Sequence, residues 1–170
     1  MSETTPESIS GGTLDPHALP EDLPVTVIMR RYAVHATPWL DEKWQALAVL
    51  VPLDPVPETV LQPLPVDGVD DQLRYEGLRL RLHKDQCESY YYNMLSDQPR
   101  LFVMARPDDD GRPRPFHVSA SFDEAGAGME GDELVFPVAI PPQIYRWMEA
   151  YVLIHYVPQL KYKRKLTHAS

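Results

Sequence analysis

A succession of short strand-like runs, closed by one amphipathic helix between prolines, is the pattern that most limits how this chain can fold. Near the C-terminal end, Ile144, Trp147, Met148, Tyr151 and His155 recur at the spacing of one helical face, while Arg146, Glu149 and Ala150 mark a more exposed side. Pro141 and Pro142 suit a first helical turn, because the amide that proline lacks would be unpaired there anyway. Pro158 ends the run, since it cannot continue the hydrogen-bond ladder. Upstream the period is two. Leu78, Leu80 and Leu82 alternate with Arg79, Arg81 and His83, which places leucines on one face of a strand and cations on the other. The same period fits 25–32, 44–51, 90–95, 101–106 and 116–122, with a weaker run at 134–140 that Pro137 demotes to an edge or irregular strand.

The links between these runs carry turn chemistry. They fall at 85–86, at 97–99, and at 108–114, where Asp110 precedes Gly111 and both tolerate positive φ. Such links favour antiparallel hairpins, and the spacing leaves no room for the helical crossovers that parallel pairing needs. The expected architecture is α+β: an antiparallel, strongly bent sheet or partial barrel of six to seven strands, packed by one C-terminal helix. Its element order is similar to that of the pleckstrin-homology superfold, a likeness that confers no function by itself.

Composition divides the chain. Residues 1–23 are rich in Ser, Thr, Pro, Gly and acids, too polar to offset the entropy of ordering, and read as a flexible acidic arm. Residues 24–158 read as a single globular domain, interrupted at 52–76 by a proline-rich loop whose Val56, Val60, Leu61, Leu64 and Val66 argue that part of it packs on the sheet. A chain of this length buries about two-thirds of its unfolded surface, so no metal or disulfide is needed to staple it. One cysteine, Cys87, excludes an internal disulfide and suits a reducing compartment. With no apolar run long enough to span a bilayer and no start resembling a signal peptide, the expected location is cytoplasmic. The net charge of −9 disfavours nucleic acid as a partner.

Several residues suggest chemistry, and each has a plainer reading. Gly126, Gly128 and Gly131 form G-x-G-x-x-G after a strand, but acids at 123, 124, 132 and 133 flank the run and a β-like segment follows it, so a plain loop is expected rather than a phosphate cradle. The oxygen residues there do not fall at calcium-loop positions. His83 and Cys87 lack the further ligands that a metal needs and read as a wet-face histidine and a turn cysteine. The carboxylates Asp85 with Glu88, and 108–110, more often cap turns than transfer protons. Ser89, Ser119 and Ser121 have no nucleophile elbow around them. No catalytic site, cofactor or metal is expected.

Binding is the expected role, and two surfaces are candidates for it. The first follows from Tyr90, Tyr91 and Tyr92: on a strand these put aromatic surface on both faces, which suits either burial on two sides or a recognition surface in which Tyr91 is rimmed by Arg79 and Arg81. The second is the basic tail at 159–170, with Lys161, Lys163, Arg164 and Lys165, which is either a solvated end or a docking peptide for an acidic partner.

The order of residues 44–50, 85–93 (DQCESYYYN), 102–106, 141–156 and the KYKRK tail resembles a proteobacterial domain-of-unknown-function family often encoded beside formate dehydrogenase and its maturation genes. The resemblance implies an accessory role near a molybdenum- or tungsten-dependent formate dehydrogenase and brings no catalytic residues with it. The resulting expectation is a non-catalytic accessory or adaptor protein whose partner is a formate dehydrogenase subunit or maturation factor. The alternative is a protein that binds a small ligand or cofactor precursor between sheet and helix.

Overall fold

The computed structural model describes residues 19–34, 41–57 and 63–158. Apolar residues at alternate positions build two long strands, β1 (Asp22–Val34) and β4 (Val69–Arg81), which pair antiparallel with Asp22 opposite Arg81 and Arg30 opposite Gln72. β2 (Asp41–Leu50) adds to the other edge of β1. β3 (Pro63–Val66) folds back on β4 through the turn at Asp67 and Gly68, where Gly68 adopts the positive φ (76°) that favours glycine. β5 (Arg100–Pro107) pairs antiparallel with both β6 (Pro113–Ser119) and β7 (Leu134–Ala139). Parallel pairing of Leu80 on β4 with Val118 on β6 joins the halves, giving the order β2-β1-β4-β6-β5-β7 with β3 also on β4. Register shifts in β1 and β5 bend the sheet, and β2 and β7 come back into contact, so it is nearly closed.

Three α-helices accompany the sheet among the described residues: α1 (Cys87–Leu95), after a 3₁₀ turn at Lys84–Gln86, then α2 (Phe122–Glu130) and α3 (Pro142–His155). The architecture is α+β, as expected, with a mixed rather than purely antiparallel sheet. Its core joins Val27, Tyr75, Leu80, Leu101 and Val103 of the strands to Tyr90 of α1 and Ile144, Met148 and Tyr151 of α3. Trp147 completes the α3 stripe. Its indole Nε1 donates to the Pro20 carbonyl at 2.8 Å.

Four expectations need correction. Residues 90–95 are not a strand but most of α1: Cys87, Tyr90 and Asn93 recur every third residue and are buried together. The glycine run is not a loop but α2. Ser121 caps that helix by accepting from the Glu124 amide at 3.2 Å, one half of an S-x-x-E capping box. Gly128 is closely packed: a Cβ there would lie 3.3 Å from a Glu133 carboxylate oxygen, so that side chain would have to shift slightly. The proline-rich stretch is much shorter than 52–76, because β3 and the first half of β4 occupy 63–66 and 69–76. Finally, parallel pairing does occur, because α1 supplies the crossover and β5 reverses the chain before β6. These two added helices also set the fold apart from a pleckstrin-homology order of strands and one terminal helix.

The N-terminal boundary also moves. Leu19 packs on the core, the Glu21 carbonyl accepts from the Leu82 amide at 2.9 Å, and Asp22 already belongs to β1. The turn expected at Asp110 and Gly111 is present. Gly111 has φ 78° and donates its amide to the Asp108 carbonyl, closing the β5–β6 hairpin.

Candidate protein-binding groove

α1 lies against α3, and its sequence divides cleanly between the two sides. Tyr90 is 1% exposed and its hydroxyl accepts from the His83 amide at 3.0 Å. Asn93 is fully buried and acts as a three-way clamp: Nδ2 donates to the Arg100 and Ala120 carbonyls at 2.7 and 2.8 Å, and Oδ1 accepts from the Arg100 amide at 3.0 Å. Gln86 and Ser89 tie the start of α1 to the cap of α2. Ser121 Oγ donates to Gln86 Oε1 at 2.7 Å, and the Phe122 amide donates to Ser89 Oγ at 3.0 Å. Most of the DQCESYYYN run is therefore occupied in holding α1 in place.

Tyr91, Met94 and Leu95 point the other way. With Tyr145, Glu149, Val152, Leu153 and Tyr156 of α3 and its C-terminal extension, and Pro158 beyond, they line a groove of about 450 Å³. Tyr91 and Tyr156 stack with ring centroids 5.1 Å apart, and the Tyr145 hydroxyl donates to the Met94 carbonyl at 3.5 Å, so the two walls are fastened to each other. Two lining leucines are open to solvent, Leu153 at 79% and Leu95 at 63%, and Tyr92, whose ring lies edge-on to Tyr91, is 57% exposed. Glu149 is the charged residue in the lining. The Tyr156 phenol is raised above the ordinary tyrosine value, first by desolvation and then by the nearby Glu88 carboxylate.

The sequence-based candidates separate in space. Tyr91 is a wall of this groove. Arg79 and Arg81 are absent from its lining; Arg79 instead donates from Nε and from an amino group to the two Asp22 carboxylate oxygens, both at 2.9 Å, and Arg81 approaches the same carboxylate at 3.7 Å. Their main local role is to pin β4 to the start of β1. Lys161, Lys163, Arg164 and Lys165 lie outside the described residues, although the chain reaches them directly from Pro158 at the edge of the groove. Leu95, Leu153 and Val157 were missed by sequence reading. The available signal was the presence of apolar residues on α3 and just after it, outside the core stripe.

The polar clusters elsewhere have structural assignments. His117 and Glu124 approach at 3.1 Å, and Ser119 also bonds Glu124, while the Ser121 hydroxyl is spent on Gln86 and the α2 cap. Cys87 is not in a turn but buried at the start of α1, and burial pushes its thiol up, away from thiolate reactivity. Among the described residues, no group of three or more His, Cys, Asp or Glu could hold a metal ion. No helix among them is long and apolar enough to cross a membrane.

Carboxylates held below their ordinary values make the fold sensitive to acid, Asp22, Asp108 and Glu124 among them. The hydrogen bond from Arg79 holds Asp22 below the ordinary aspartate value, and the bond with His117 does the same for Glu124. A carboxyl whose pKa falls on folding binds fewer protons in the native state than in the unfolded one. Its contribution is therefore complete above the unfolded value and is lost as pH falls through the lowered native value. The urea midpoint should drop as pH is taken from about 5 to about 2, and Asp22→Asn should remove part of that drop.

Neither a curated protein nor a solved structure matches the chain. A family model does: the one described as "Protein of unknown function (DUF3305)" matches residues 24–165, which takes in the whole sheet from Pro24 onward, both groove helices and the cations of the tail. That match spans most of the sequence, and the chain belongs to the DUF3305 family.

Proposed function

We propose that the protein is a non-catalytic accessory or adaptor protein that holds a protein partner on the α1–α3 groove. The observation that carries this reading is the concentration of exposed apolar side chains, Tyr92, Leu95, Leu153 and Val157, on and beside the lips of one groove whose walls are otherwise fixed. Contiguous apolar surface of this kind, with aromatic residues at its centre and few charges, has the composition of an interface core. The tail at 159–165 falls inside the family match and follows Pro158 of the groove lining in the sequence, and its cations would steer an acidic part of the partner. The resemblance of the sequence makes a formate dehydrogenase subunit or maturation factor the first partner to look for.

A small ligand or cofactor precursor is the second reading. The groove volume of about 450 Å³ falls within the range of small-molecule sites, which favours it. Against it, the lining offers only Glu149 and tyrosine hydroxyls, whereas ligand sites fix orientation with several convergent polar groups.

Capture from native cells by the tagged full chain, read by mass spectrometry, distinguishes the two. A defined protein should be retained by the natural chain and reduced at least tenfold by Leu153→Asp, while the melting curve changes little because Leu153 lies outside the core. Retention of a small molecule without a protein would favour the second reading. Undiminished protein capture by Leu153→Asp would remove the groove from the interface.

A further inference from the structure

We infer that the groove's occupant is an amphipathic α-helix of the partner protein, carrying a Lys or Arg beside its apolar stripe. This rests on the reading of the groove as the partner-binding surface and specifies the chemistry of what fills it.

The shape of the groove comes first. Tyr145, Glu149, Val152, Leu153 and Tyr156 form a continuous stripe along α3 and its last residue, and Tyr91, Met94 and Leu95 form the facing ridge of α1. Two helical ridges in contact leave a trough that a third helix enters with its own ridge. From Tyr145 to Tyr156 the helical rise gives an α3 wall about 16 Å long, faced over about 6 Å by Tyr91–Leu95 of α1, and the longer wall suits about three turns of a partner helix.

Backbone hydrogen bonding decides between a helix and an extended peptide. An extended segment lying in this trough would bury amides and carbonyls against a lining that is apolar apart from the Glu149 carboxylate and phenol hydroxyls. Buried main-chain groups left without partners are strongly disfavoured. A strand-adding peptide meets its backbone needs at a sheet edge, but the groove lining comes from helices and the residues that follow α3. A helix satisfies its own backbone and presents only side chains.

Charge sets the sign of the ligand's polar face. Glu149 lies in the wall, is exposed, and has no ion-pair partner among the described residues. The charged neighbour next to Tyr156 is Glu88, also an acid. A helix with Lys or Arg at the edge of its apolar stripe complements both. In a second copy docking by this same face the groove lining supplies no Lys or Arg to meet Glu149, so the favoured occupant is a different protein.

The test places a photo-crosslinking benzoylphenylalanine at position 153 of the full chain in its native cells, with and without Glu149→Lys. The crosslinked peptide is located by mass spectrometry and then synthesised. The expected result is a segment with apolar residues at helical spacing and a flanking Lys or Arg. Its synthetic peptide should gain helical circular dichroism on binding and lose binding when a central residue is replaced by Pro. Glu149→Lys should reduce the crosslink roughly five- to tenfold. A crosslink to an acidic or proline-tolerant extended segment, or to a second copy of this chain, would overturn the helix assignment and leave the groove as a protein-binding surface. No protein crosslink above background would overturn both.

Discussion

Trp147→Ala should lower the free energy of unfolding by about 3–5 kcal/mol, a large share of what a domain of this size has. The indole is buried in the core stripe of α3, and its Nε1 holds the Pro20 carbonyl, so truncation leaves a cavity and also releases the N-terminal segment that reaches β1. Trp147→Phe should recover much of the loss, since it keeps an aromatic ring and gives up the hydrogen bond at a cost of about 1 kcal/mol. Chemical denaturation of the three proteins measures both steps. A loss below about 0.5 kcal/mol for the Ala variant, the range of surface substitutions, would contradict this packing.

Asn93→Ala should cost about 2–4 kcal/mol, although the side chain is polar and sits in a helix whose other face is solvated. Two carbonyls and one amide, on Arg100 and Ala120, lose their partner at once, and a buried unsatisfied group costs about 1–3 kcal/mol. Asn93→Asp should be no better, because a carboxylate cannot donate to the two carbonyls. Because the clamp fixes α1 against β5 and the end of β6, partner capture should fall along with stability, unlike Leu153→Asp, which should affect capture alone. Equal stability of the natural protein and Asn93→Ala in urea would show that another contact holds α1.

β4 was legible because its alternation has a direct physical cause: one face packs and the other is wet, as Leu78, Leu80 and Leu82 against Arg81 and His83 show, whereas β1 at 25–29 and β5 at 101–105 are buried on both faces and were legible as apolar runs. α3 was legible for the same reason as β4, at a different period. α1 was not. Six residues of mixed tyrosine, Asn, Met and Leu fit either period, and the deciding feature, the burial of Asn93 as a clamp, depends in part on the Ala120 carbonyl far along the chain. α2 was obscured by Gly126 and Gly128, each a weak helix former, and by Gly131 at its C-cap, although Ser121 with Glu124 carried the capping signature. Asp67 and Gly68 likewise spelled a hairpin that the surrounding prolines concealed. Of the candidate surface, Tyr91 was identified for its aromatic exposure, but its pairing with Arg79 and Arg81 assumed a strand. Once residue 91 lies on a helix, its neighbours become Tyr156 and the exposed leucines of α1 and α3.

Amide hydrogen exchange of the full protein, alone and with the captured partner, tests most directly whether the α1–α3 groove is the working surface. Slower exchange in the complex across 91–95 and 145–157, with β2 and β3 unchanged, is the expected result. Unchanged exchange along both helices, with protection gained on another face such as β2 or the β5–β6 hairpin, would contradict it.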